Sequence, residues 1–325
     1  MLRLVGWLYG RIINIRNSLY ERGVFKSHSL GARTISIGNV TAGGTGKTPL
    51  VAYVAEILAD AGEKVCILTR GYGRESSGRV LVSDGKEVLV DAREGGDEPV
   101  ELARKLIGKA VVVADADRVS AAAWAREHFD VTVFVLDDAF QHRRAKRDLD
   151  IVCIDATDPF GGSDVLPAGR LREPVSNVAR ADAIVITRSD LVSSIDDLVN
   201  QLRDIDPDTP IFKGTSKLRS PKDPPDAKVF AFCGIGNPQS FLSVLTRGGF
   251  DVGGDRAFGD PHRYTQNDIS EIESDAKLAS CDLLVTTAKD AAKLDGLVFE
   301  MPLLVAEVAT VIDDPDGFRD LVLSA

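Results

Sequence analysis

One segment constrains this chain more than any other: Thr34-Ile-Ser-Ile-Gly-Asn-Val-Thr-Ala-Gly-Gly-Thr-Gly-Lys-Thr-Pro49. β-Branched residues come first, then a glycine-rich turn, then Lys-Thr at the head of an amphipathic run, Leu50 to Leu58, that reads as a helix. Gly43, Gly44 and Gly46 let the backbone turn tightly and aim its amides at phosphate oxygens, and the helix start near Lys47 adds a positive dipole end. In such a cradle, formed by Thr41, Ala42, Gly43, Gly44, Thr45, Gly46, Lys47 and Thr48, Lys47 reaches the β- and γ-phosphates and the Thr48 hydroxyl binds Mg²⁺. Strict versions of the motif have Gly where Thr41 stands, so this is a Gly-Gly-x-Gly-Lys-Thr variant.

A strand ending in a cradle of this kind requires neighbours in a parallel sheet, and apolar runs alternate with helical patterns as that demands. Strands are predicted at Val65 to Leu68, Ala110 to Val113, Val131 to Leu136, Ile151 to Ile154 and Ala183 to Ile186, with helices at Pro99 to Leu106 and Val119 to His128. Prolines concentrate in Ser220 to Ala227, where they can neither donate ladder hydrogen bonds nor continue a helix. Beyond them the pattern restarts with a strand at Val229 to Cys233, a helix near Ser240 to Thr246 and a strand at Leu283 to Thr286. The expected architecture is α/β: a P-loop NTPase-like parallel sheet with flanking helices over residues 23–220, a smaller α/β domain over 221–325, and an amphipathic helix over 1–22.

The run Val131-Thr-Val-Phe-Val-Leu-Asp-Asp138 supplies the acidic strand end that a P-loop enzyme needs to hold its metal, which makes Asp137 and Asp138 candidate Mg²⁺ ligands beside Thr48. A formal net charge of −10 argues against a general nucleic-acid binder. The four cysteines, Cys66, Cys153, Cys233 and Cys281, are scattered in apolar runs, the pattern of buried thiols rather than of a zinc or disulfide framework.

Near the N-terminus, Leu4, Val5, Leu8, Ile12, Ile15 and Leu19 share one helical face, flanked by Tyr9 and Ile13. Arg3, Arg11, Asn14, Asn17 and Arg22 lie opposite. The arginines interrupt the apolar run short of the ~20 residues that a membrane span needs, and no signal-peptide cleavage pattern follows. An interfacial helix and a helix packed on the protein's own core both fit this pattern.

Taken together, Ile37 to Pro49, Thr69-Arg-Gly-Tyr-Gly-Arg74, Gly96-Asp-Glu-Pro99, Asp137-Asp-Ala-Phe-Gln-His142, Leu166-Pro-Ala-Gly-Arg-Leu-Arg-Glu-Pro174 and Thr286-Thr-Ala-Lys-Asp290 resemble the tetraacyldisaccharide 4'-kinases of lipid A biosynthesis. The resemblance implies ATP as phosphate donor with Mg²⁺, and as acceptor the 4' hydroxyl of a tetraacylated glucosamine disaccharide 1-phosphate. An acceptor with four acyl chains implies a peripheral or monotopic enzyme at the cytoplasmic face of the inner membrane, and favours the interfacial role for the N-terminal helix. No protein partner is implied.

Phosphoryl transfer to an alcohol needs a base. The resemblance points to Asp97, although Asp ahead of Pro99 could equally cap a helix. The family pairs the base with a histidine from a segment that usually reads Asp-His-His. This chain has Asp260-Pro-His262, so either His262 takes that part or Asp97 works with less help. Lys47 and Asp138 complete the expected catalytic set. Arg172 is the foremost candidate to grip the acceptor's phosphate bidentately, with Arg70, Arg74, Arg118 and His142 behind it. Ala139 stands where the family commonly has Gly.

Two rivals share the glycine-rich loop. Ala183-Ile-Val-Ile-Thr-Arg-Ser-Asp190 looks like the guanine-reading strand of a GTPase, with Arg188 in place of Lys, and a membrane-bound ATPase switch has a similar cradle with a lysine near its start.

Overall fold

Residues 2–221, 223–260 and 262–325 are described by a computed structural model; Pro261, where the family histidine is replaced, lies outside them. The apolar runs become twelve strands: β1 Arg33–Asn39, β2 Val65–Thr69, β3 Val80–Ser83, β4 Ala110–Ala114, β5 Val133–Asp137, β6 Leu149–Asp155, β7 Ala183–Thr187, β8 Ile211–Ser220, β9 Lys228–Cys233, β10 Asp251–Ala257, β11 Leu283–Thr287 and β12 Leu303–Ile312. They form one mostly parallel sheet in the order β10-β9-β11-β12-β8-β7-β6-β1-β5-β2-β4-β3. β8 with β12 and β3 with β4 are its antiparallel pairs. Every residue of β2, β5, β6 and β7 is buried, as expected where helices cover both faces of a parallel sheet.

The helices are α1 Leu2–Glu21, α2 Lys47–Asp60, α3 Ala92–Gly95, α4 Asp97–Lys105, α5 Arg118–His128, α6 Asp196–Ile205, α7 Pro238–Arg247, α8 Gln266–Leu278, α9 Ala288–Ala291 and α10 Pro315–Ser324. The proline-rich stretch lies between β8 and β9, yet the sheet continues past it. β12 returns from the far half to pair with β8, Val308 opposite Leu218 and Ile312 opposite Gly214. α10 then packs Phe318 against Tyr53 of α2 and Phe212 of β8, so the end of the chain joins the core of the first half.

Strand order reverses around β1, which has β6 on one side and β5 on the other, so its carboxyl end opens into the crevice where open α/β sheets bind ligands. Register sets Ile37 opposite Asp137 and so brings the glycine-rich loop beside the two carboxylates.

α1 docks through its small residues. Gly6 and Gly10 are buried, and a Cβ on Gly6 would come within 2.7 Å of the Val165 carbonyl oxygen. Asn17, expected on the polar face, is buried and donates to Glu173 (3.2 Å). Leu4, Leu8, Ile12 and Ile15 remain exposed together with Trp7. Among the described residues no helix is long and apolar enough to cross a membrane. All four cysteines are free and buried.

Candidate active site

The glycine-rich loop is held by its neighbours. At the end of β1 the Asn39 amide donates to the Thr41 carbonyl (2.7 Å) and to the Thr45 hydroxyl (3.0 Å). The Ala42 amide donates to Arg170 and the Arg172 amide to Val40, both at 2.7 Å, while the Thr187 hydroxyl of β7 donates to the Thr45 carbonyl at 2.8 Å. Gly43 and Gly46 adopt φ of 122° and 78°, which other residues reach only with strain. Gly46 precedes the first turn of α2, so Lys47 and Thr48 open the helix as its sequence predicts.

The tandem carboxylates at the end of β5 meet different surroundings, because Asp138 takes φ 50° and turns the chain sharply. Asp137 accepts the Thr69 hydroxyl at 3.1 Å through one oxygen, and its other oxygen is buried without a partner. Burial above all, with the charges of Glu98 and Asp138, pushes its carboxyl up to about 7. Asp138 lies 3.5 Å from the Lys47 amine, and both its oxygens accept from Arg172 at 2.8 Å. Burial raises this group too, but Lys47 and Arg172 outweigh burial and hold it below the usual carboxylate range. The orphaned oxygen of Asp137, the carboxylate of the next residue, Asp138, and the Thr48 hydroxyl are oxygen donors of the kind that fit Mg²⁺, an ion that takes one or two carboxylates and keeps its remaining positions for water and phosphate. Among the described residues no group of three or more His, Cys, Asp or Glu side chains is placed to hold a metal ion.

Lys47, Thr48, Asp138 and Arg172 line a cavity of about 750 Å³, whereas Asp137 is not among its lining residues. Asp97 stands on its rim as the first residue of α4. Gly96, not Asp97, occupies the capping position and makes no side-chain cap; the Asp97 carboxylate instead lies 3.3 Å from the Lys293 amine. Lys289 reaches the same rim, 3.5 Å from Glu98 and 3.2 Å from Asp260. Burial lowers the pKa of Lys289, but these two carboxylates prevail and raise it to about 12. Asp290, between the two lysines, is fully buried; one of its oxygens accepts the Gly234 amide (3.0 Å) and the Thr287 hydroxyl (2.8 Å).

The other candidates are dispersed. His262 stacks on Phe258, ring centroids 4.2 Å apart, and its Nε2 lies 3.4 Å from Asp268; no contact joins it to Asp97. Arg172 lines the cavity, whereas Arg70, Arg74, Arg118 and His142 do not. Arg118 is buried and donates to the carbonyls of Asp115, Ala116 and Asp137. Arg74 donates to the carbonyls of Ala114 and Gly78, and Arg70 is exposed beyond β2. His142 is driven down to about 4 by burial, then by Arg118 and Arg147, and so is neutral at pH 7. Asp190, the residue that would read guanine, is ion-paired with Arg247 of α7.

Lys289 and Lys293 are cavity residues to which the sequence reading gave no role. Their signal was the spacing Lys-Asp-Ala-Ala-Lys, two cations one helical turn apart directly after a strand.

A strand-cradle-helix with Lys47 at the helix mouth, an acidic pair at the end of the adjacent strand and the Lys293-paired carboxylate of Asp97 on the same cavity define a P-loop phosphotransferase. Comparisons with known proteins narrow the class. The family described as LpxK, tetraacyldisaccharide-1-P 4'-kinase, matches residues 1–325, and the chain belongs to it. A tetraacyldisaccharide 4'-kinase of Desulfotalea psychrophila is 37% identical, the match covering 98% of this chain and 95% of that one. The enzyme of the same name from Chlorobium phaeovibrioides is 40% identical over 91% and 87% of the two chains. A crystal structure of LpxK from Aquifex aeolicus in complex with ATP superposes with a TM-score of 0.79 at 32% identity, covering 100% of this chain and 99% of that one.

Proposed function

We propose that this chain transfers the γ-phosphate of ATP to the 4' hydroxyl of a tetraacylated glucosamine disaccharide 1-phosphate. The observation that carries this is the convergence of the phosphate cradle, Asp138 and Asp97 on one cavity in a chain that matches the kinase family from end to end. The loop amides and the Lys47 amine hold the donor's β- and γ-phosphates. Thr48, Asp137 and Asp138 would hold Mg²⁺, which when bound neutralises charge on the phosphate oxygens. The acceptor oxygen bonds to the γ-phosphorus as the bond to the β–γ bridging oxygen breaks; ADP leaves with that electron pair, and the hydroxyl proton passes to Asp97. Arg172 is the cavity's cation for a substrate phosphate, and it must exchange its bonds to Asp138 to serve as one.

The acceptor's acyl chains give the exposed face of α1 its purpose. Leu4, Trp7, Leu8, Ile12 and Ile15 enter the acyl region of the bilayer, and Arg3 and Arg11 meet anionic headgroups. The enzyme therefore works as a peripheral protein on the membrane surface that holds its substrate, the cytoplasmic face of the inner membrane.

Incubating purified protein with γ-labelled ATP and the acylated disaccharide 1-phosphate tests the assignment. Labelled 4'-phosphate should form with the parent and fall about 10²- to 10³-fold with Lys47→Ala, the usual effect of removing a preorganised group that stabilises transition-state charge. Nucleotide hydrolysis without labelled lipid, or undiminished transfer by Lys47→Ala, would overturn it.

A further inference from the structure

The ammonium of Lys293 is set between two carboxylates of unequal burial. On one side Asp290 is fully buried and tethered through its second oxygen to the Gly234 amide and the Thr287 hydroxyl. Lys293 Nζ lies 3.2 Å from the first oxygen of Asp290 and 3.3 Å from Oδ2 of Asp97, and the lysine side chain is only 5% exposed. A cation so withdrawn from water needs partners, but Asp290 alone would supply one. Asp97 is the informative partner, because it caps no helix and faces the cavity. The histidine that could have polarised it is turned to Asp268 and Phe258.

We propose that Lys293 is the positioning residue for Asp97, fixing its Oδ2 so that Oδ1 is presented to the acceptor hydroxyl. This rests on Asp97 being the base in the proposed phosphoryl transfer, and it assigns to a lysine beyond α9 the polarising part that His262 does not reach. The proton balance favours it. When Oδ1 takes the hydroxyl proton, Lys293 keeps Asp290 as counter-ion, so the step leaves no unpaired buried charge.

Among the described residues Lys293 is the cation recorded in contact with Asp97, so its loss should leave the carboxylate free to turn away from the acceptor.

The test compares the parent with Lys293→Met, Lys293→Arg and the doubly neutral Lys293→Met/Asp290→Asn, using labelled ATP and the acylated disaccharide 1-phosphate at pH 7. Lys293→Met should lower kcat about tenfold or more and leave KM for ATP within about threefold. Lys293→Arg, which keeps the cation, should recover most of the lost kcat. The double variant, which leaves no lone carboxylate buried, should show the same kinetic loss at a melting temperature near the parent's. A folded Lys293→Met or double variant with kcat within about threefold of the parent's overturns the proposal. Undiminished transfer by Asp97→Asn or Lys47→Ala would instead overturn the functional assignment beneath it, so the two failures are distinguishable.

Discussion

Glu101 carries a charge that the fold resists, and replacing it with Gln gives a quantitative test of the cavity's electrostatics. It lies one turn after Asp97 on α4, partly buried at the cavity wall. Burial does most to raise its carboxyl and Glu98 adds to the rise; Lys105, one turn further on, opposes both without prevailing, and the group settles at about 7 against an ordinary 4.5. Between those two values the native protein binds more protons than the unfolded chain, so stability falls as pH increases. The favourable contribution is complete below about 4.5 and is lost as pH rises through about 7. At about 1.36 kcal/mol per pH unit the full shift corresponds to roughly 3 kcal/mol. Partial contact with solvent in the cavity reduces this to about 1 to 3 kcal/mol. Glu101→Gln keeps the shape and removes the charge. In urea unfolding without nucleotide or Mg²⁺, the variant should gain about 1 to 3 kcal/mol over the parent at pH 8 and almost nothing at pH 4.5. A stability difference that does not change between the two pH values would refute the reasoning.

Gly38 lies where β1 passes the turn after Asp138, and a Cβ there would come within 2.6 Å of both the backbone nitrogen and the Cβ of Phe140. Gly38→Ala should destabilise the protein by about 1 to 3 kcal/mol and weaken Mg²⁺-dependent nucleotide binding by shifting the carboxylates; an unchanged melting temperature with unchanged binding would contradict this. Deleting residues 2 to 20 should move the enzyme from the membrane to the soluble fraction of a cell lysate, while transfer to a detergent-dispersed acceptor persists. Unchanged recovery with the membrane would remove the role assigned to the exposed face of α1.

Local chemistry made half of the site legible in the sequence. The glycines, Lys47 and Thr48 are consecutive, so the cradle is formed by neighbours along the chain, and strand, turn and helix each have a short-range pattern. Asp137 and Asp138 could be assigned because β5 is buried on both faces and reads as a continuous apolar run. β8 and β12 escaped notice because their burial is mixed and follows no strict alternation. Yet this antiparallel pair joins the two halves of the sheet.

What the sequence determined, then, is the identity of the candidate phosphate-handling groups, whose partners lie within a few residues. What tertiary structure decided is which distant charges meet. Lys293 reaches Asp97 across nearly two hundred positions, His262 turns to Asp268 instead, and Arg118 is spent on backbone carbonyls rather than on substrate. A side chain's charge is written in the sequence, but its electrostatic energy depends on separation and burial, and both are set only when the sheet has closed the two halves over one cavity.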